Sequence, residues 1–176
     1  MRLLAYLSGF LLGFLLLFTA SLSLAEQVTD EISFGNFKLR DLQGAELANT
    51  ELRRKKVVLY FWSIYCRGCV SALAELDALR KDLAEEDVEL LTIHMFEADV
   101  AIISEKVRGL GLDLPILLAP DTTLKSLSIR LLPTSLVFDE EHKLVSRIEG
   151  VSDKESLRLN IVAKLNEARS VASAKQ

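Results

Sequence analysis

The sequence predicts an α/β fold in which two parallel strands are bridged by a helix, and three stretches carry that reading. Val57-Val58-Leu59-Tyr60-Phe61-Trp62 is an apolar, β-branched and aromatic run with the length of a buried strand. Val70, Leu73, Leu76, Leu79 and Leu83 then recur at spacings of three and four, which makes a helix with one buried face. Val88-Glu89-Leu90-Leu91-Thr92-Ile93-His94-Met95 reads as a second buried strand. A strand, a helix and a strand in that order cross over right-handedly and pair in parallel. Where the first strand ends and the helix begins lie both cysteines of the chain, Cys66 and Cys69, as a C-x-x-C.

Taken in order, the chain of 176 residues opens on Arg2, an apolar stretch from Leu3 to Phe18, and Thr19-Ala20-Ser21-Leu22-Ser23-Leu24-Ala25. This is the basic, apolar and small-residue sequence of a secretory signal, with Ser23 and Ala25 at the small positions before a cut. The uncharged stretch Leu3–Leu24 also suffices for a membrane anchor, which needs about 20 residues. Residues 1–25 are therefore a signal peptide or an uncleaved anchor, and either places the folded part outside the cytoplasmic membrane. A short tether follows over 26–33, a domain over 34–168 and a flexible tail over 169–176.

Within the domain, Phe37-Lys38-Leu39-Arg40 and Ala45-Glu46-Leu47 flank Asp41-Leu42-Gln43-Gly44, the pattern of a small hairpin with Gly in its turn. Arg53-Arg54-Lys55-Lys56 reads as a solvated turn, or as a face toward anionic lipid if the leader is retained. Val100, Ile103, Val107 and Leu110 mark a second helix closed by Gly109 and Gly111. Leu114–Leu118 is a short extended piece, and Asp121 suits the N-cap of a helix to about Ser128. Thr134–Phe138 and Lys143–Ile148 are strands joined by the polar turn Asp139–His142. Ser152 and Glu155 form a capping box for a last helix that buries Leu157, Ile161 and Leu165, with fraying beyond Ala168.

The formal charge is −4, and because residues 1–25 hold Arg2 and no acid, the remainder is −5. A mildly acidic surface argues against nucleic acid as a partner. The chemistry rests on the cysteines. The first turn of a helix offers unpaired N–H groups and the positive end of its dipole, and Arg67 adds a charge beside Cys66. Both are expected to hold the Cys66 thiol below its free value, making it the nucleophile. Cys69, one turn on, is placed to resolve a mixed disulfide formed at Cys66. A structural staple competes, but so short a loop constrains the unfolded chain little. A metal site competes too, yet it usually wants four ligands, and beyond the cysteines only His94 and His142 are of the right type.

With a C-x-x-C ending the first core strand and Leu132-Pro133-Thr134 opening a later one, the chain resembles the thioredoxin superfamily. More narrowly, Phe37–Asp41, Lys56–Cys69 and Leu131–Ser135 resemble the extracytoplasmic TlpA/ResA-like disulfide reductases. The likeness spans residues 34–168. It implies a thioredoxin-like fold, a central mixed β-sheet flanked by helices, with the hairpin as an N-terminal extension. It also implies a cis Leu132–Pro133 bond beside the cysteines, with neighbouring backbone free to hydrogen-bond an extended substrate. Tyr65, Arg67, Leu132, Pro133 and Thr134 are the substrate-binding residues so implied, with Tyr65 shielding the disulfide where relatives carry Trp. Arg67-Gly68 replaces the frequent Gly-Pro and is expected to make the couple more oxidising.

Tyr60 stands where cytoplasmic thioredoxins have a proton-transferring aspartate. Glu97 matches a glutamate of the tethered reductases and either accepts the proton of the resolving thiol or starts the following helix. His94 reads as a hydrogen-bonded core residue and His142 as solvated. The implied activity is thiol–disulfide exchange with exported cysteine-containing proteins such as apocytochrome c, in the reducing direction. Electrons come from a membrane thiol-electron transporter, and no organic cofactor or metal is needed. A copper-delivering chaperone on the same scaffold is the alternative, although such relatives space their cysteines by three residues. A peroxiredoxin-type peroxidase is disfavoured because Leu59 occupies the place of its motif's proline, while Ser63 fits.

Overall fold

The computed structural model describes residues 37–47, 52, 54–95, 99–150 and 154–173. Along them run β1 (Arg40–Asp41), β2 (Lys56–Trp62), α1 (Arg67–Ala84), β3 (Val88–His94), α2 (Val100–Gly109) and β4 (Ile116–Leu118). There follow α3 (Asp121–Ser126), β5 (Thr134–Phe138), β6 (Leu144–Glu149) and α4 (Lys154–Ser173). The strands join in one sheet of order β1-β4-β3-β2-β5-β6. β2 pairs with β3, and β3 with β4, in parallel, as the crossover requires. The pairs β2–β5, β5–β6 and β1–β4 are antiparallel, so the sheet is mixed and the fold is thioredoxin-like.

Alternation along β2 divides the core. Val58, Tyr60 and Trp62 face a cluster with Leu73, Leu76, Leu79 and Leu83 of α1, Ile103 of α2, and Ile161 and Leu165 of α4. Val57, Leu59 and Phe61 face the opposite cluster, with Phe37, Leu39, Ile93, Leu127, Leu136 and Phe138. A strand buried on both faces reads as a continuous apolar run, which is why Val57–Trp62 shows no polar alternation.

The expected hairpin is present in reduced form. Arg40 bridges Glu46, Leu47 N–H donates to Leu39 C=O at 2.9 Å, and Gly44 takes φ +89° at the turn. Asp41 Oδ1 accepts from Gln43 N–H and Ala45 N–H, at 2.9 and 2.8 Å, closing the turn. The other edge of β1 pairs with β4, which extends the sheet.

Four expectations need correction. Asp121 is the first residue of α3 and not its cap; Pro120 holds the cap position with no side-chain bond. The basic run is not a wholly solvated turn, because Lys56 begins β2, is buried, and pairs with Glu140 at 3.2 Å. His142 is half-buried and its Nε2 lies 2.8 Å from the Leu52 carbonyl, because the β5–β6 turn folds against that buried leucine. The last helix runs on past Ala168 to Ser173, through residues whose helix propensity is adequate. The leader, the tether and Ser152 lie outside the described residues. Among those described, no helix is long and apolar enough to cross a membrane.

Candidate active site

β2 delivers Trp62 to the end of the sheet, and the chain leaves through the turn Ser63–Cys66, where Cys66 N–H donates to Ser63 C=O at 3.0 Å. Cys66 then takes the N-cap position of α1, with φ −93° and ψ 98°. An N-cap side chain normally accepts from an N–H of the first turn; here the acceptor is Cys66 Sγ, 3.2 Å from Cys69 N. The two cysteines are joined as a disulfide with Cα atoms 5.2 Å apart. Their surroundings differ. Cys69 is fully buried under the core, whereas Cys66 is partly open. The first turn of α1 contains no acid, and Arg67 and Gly68 are exposed beside the bridge.

Below the pair, Tyr60 is fully buried and its hydroxyl donates to Cys69 C=O at 3.4 Å. Burial pushes the phenol well above its ordinary range, so it stays neutral and takes no proton near neutral pH. From β3, His94 is 2% exposed, stands edge-on to Trp62 with ring centroids 5.1 Å apart, and its Nε2 accepts from Ile64 N–H at 3.1 Å. The expectation of a hydrogen-bonded core histidine thus matches what is seen. Its partner, a backbone group of the cysteine turn, could not be read from spacing alone.

The register Phe61↔Thr134 between β2 and β5 puts Pro133 at the same end of the sheet as the turn. The Leu132–Pro133 bond is cis. Leu132 packs against the cluster that also takes Cys66 and Ile64. Pro133 C=O accepts from Gly150 N–H at 2.9 Å, and Thr134 Oγ1 donates to Leu131 C=O at 2.7 Å. Among the described residues, no backbone–backbone bond outside the strands and helices engages Leu132. Tyr65, the residue before Cys66, is 74% exposed. Its N–H donates to Ser63 Oγ at 3.2 Å. Glu97 lies outside the described residues; the side chain that caps α2 is Asp99, accepting from Ala101 N–H at 2.8 Å.

A disulfide at a helix N-terminus, half open, over a thioredoxin-like sheet and beside a cis-proline loop defines a thiol–disulfide oxidoreductase. The chain belongs to the AhpC/TSA family, whose model matches residues 33–160. It is 29% identical over 123 residues to the thiol-disulfide oxidoreductase ResA of Bacillus cereus, covering 69% of this chain and 70% of that one. The crystal structure of an exposed lipoprotein thioredoxin from Streptococcus pneumoniae superposes with TM-score 0.62 at 27% identity, over 72% of this chain and 98% of that one. A thiol:disulfide interchange protein of Chlorobium tepidum superposes with TM-score 0.65 over 77% of this chain and 97% of that one; at 18% identity it speaks for the fold alone.

Proposed function

We propose that the Cys66/Cys69 dithiol passes two electrons to exported cysteine-containing proteins such as apocytochrome c, and is recharged by a membrane thiol-electron transporter. The observation that carries this reading is the asymmetry of the pair, Cys66 half open at the N-cap and Cys69 fully buried beneath it. In the first step the Cys66 thiolate attacks one sulfur of a substrate disulfide, and the other substrate sulfur leaves as a thiolate. Cys69 then gives up its proton and attacks Cys66 Sγ. That step closes the Cys66–Cys69 bridge and releases the second substrate sulfur, so the substrate is reduced and the pair oxidised. Glu97 is the proposed acceptor of the Cys69 proton, since neutral Tyr60 cannot serve. The mixed disulfide is held by Tyr65 and Arg67 on one side and by Leu132, Pro133 and Thr134 on the other.

The leader over residues 1–25 supports an extracytoplasmic location, either released or anchored by 3–24. The reducing direction is supported by the likeness to the TlpA/ResA-like reductases. Capture in cells with Cys69→Ser tests both substrate and order of attack. Trapped apocytochromes or other exported proteins are expected, with none trapped by Cys66→Ser; the reverse pattern overturns the scheme. Glu97→Gln is expected to slow reduction of a test disulfide with folding intact. Metal analysis of anaerobically purified protein beside an insulin-reduction assay separates this reading from copper delivery.

A further inference from the structure

A turn that leaves a sheet must find partners for its own N–H groups. Within the cysteine turn, Tyr65 N–H donates to Ser63 Oγ at 3.2 Å and Cys66 N–H to Ser63 C=O at 3.0 Å. Those bonds travel with the turn and fix nothing outside it. Ile64 N–H differs, because its acceptor is His94 Nε2, 3.1 Å away and thirty residues on, at the end of β3. Among the described residues this is the one bond that ties an N–H of Ser63–Cys66 to another element of the fold. The imidazole is itself fixed. His94 is the register partner of Trp62, meets the indole at an interplanar angle of 89°, and is 2% exposed. A ring nitrogen that accepts from an N–H carries no proton, so the neutral ring holds its hydrogen on Nδ1.

We infer that His94 is a positioning residue for disulfide exchange: through Ile64 it sets where Cys66 Sγ stands over the first turn of α1. In the oxidised protein the bridge to Cys69 also restrains Cys66. Reduction removes that closure, and the position of the sulfur then depends on the turn's hydrogen bonds. His94 therefore acts on the dithiol form, where Cys66 must be a thiolate near Cys69 N–H to attack. The inference rests on the exchange activity and is independent of substrate or direction.

The test follows alkylation of Cys66 by iodoacetamide at pH 7 in the reduced protein, comparing wild type, His94→Leu and His94→Gln. Leu removes the acceptor, and Gln offers Oε1 at nearly the reach of Nε2. Loss of one buried hydrogen bond is expected to slow alkylation about fivefold in His94→Leu, with His94→Gln within about twofold of wild type. A second reading needs no variant: reduced, ¹⁵N-labelled wild type is expected to show a nitrogen–nitrogen coupling across the bond between the Ile64 amide and His94 Nε2. A purely structural histidine would lower the melting temperature of both variants and leave the alkylation rates alike. That result overturns the inference, as does a missing coupling. Insulin reduction by wild type, run in parallel, reports on the exchange activity itself, so its failure is separable from that of His94.

Discussion

Replacing Tyr60 by Phe removes one oxygen from the floor of the redox site and leaves the ring in place. At neutral pH the loss is small. A buried hydrogen bond contributes a net of about 0.5–1.5 kcal/mol, and the long contact to Cys69 C=O belongs at the low end, about 0.5 kcal/mol. Alkaline pH reverses the order. A phenol exposed in the unfolded chain titrates near 10, while burial raises it well above that in the native state. A group whose native value is raised stabilises fully below its unfolded value and loses that contribution as pH climbs toward the native one. Wild type thus loses roughly 1.4 kcal/mol for each pH unit above about 10 from this residue alone, and the Phe variant loses none of it. The two stability curves should cross between about pH 10 and 11, with Tyr60→Phe ahead by about 1 kcal/mol at pH 11. Urea midpoints of the oxidised protein give the measurement, and with no free cysteine present, thiol reshuffling does not intrude. Parallel curves from pH 7 to 11 would refute the argument.

Three further outcomes are expected. Leu76→Ala, at a fully buried position of α1, should cost about 3 kcal/mol with an unchanged denaturant slope, and a loss under about 1 kcal/mol would mean the site collapses around the gap. Glu140→Ala strands the buried Lys56 ammonium and should destabilise by roughly 1–2 kcal/mol more than Lys56→Met, which replaces the charge with an apolar chain; urea titrations that rank them the other way contradict the pairing. Arg67→Gly should make the couple more reducing by roughly 10–30 mV against glutathione, and equal constants for the two proteins would remove Arg67 from the account.

What could be read in the sequence follows from the range of the interactions. The strand–helix–strand unit was legible because Val57–Trp62 and Val70–Leu83 carry their periodicity within one element. The cysteine turn was legible because both sulfurs lie in it, and the cis proline because a resemblance supplied what spacing could not. Contacts between distant segments were not. Lys56 looks solvated beside Arg53, Arg54 and Lys55, and only the antiparallel register Val57↔Phe138 brings the next hairpin's Glu140 to it. His142 reads as a turn residue until the fold sets Leu52 under it. His94 shows the same limit from the other side, since β3 alternation marks its burial but not the N–H it receives from thirty residues before.

The place of β2 in the sheet bears on how the domain breathes. Each of its residues is buried, and strands flank it on both sides, whereas β1 and β6 lie at the margins. Hydrogen exchange at the rims is then expected to proceed by local fraying, and that of the Phe61 and Trp62 amides to need a wider opening of the sheet. The turn that carries Cys66 thus leaves the sheet from the strand expected to open last.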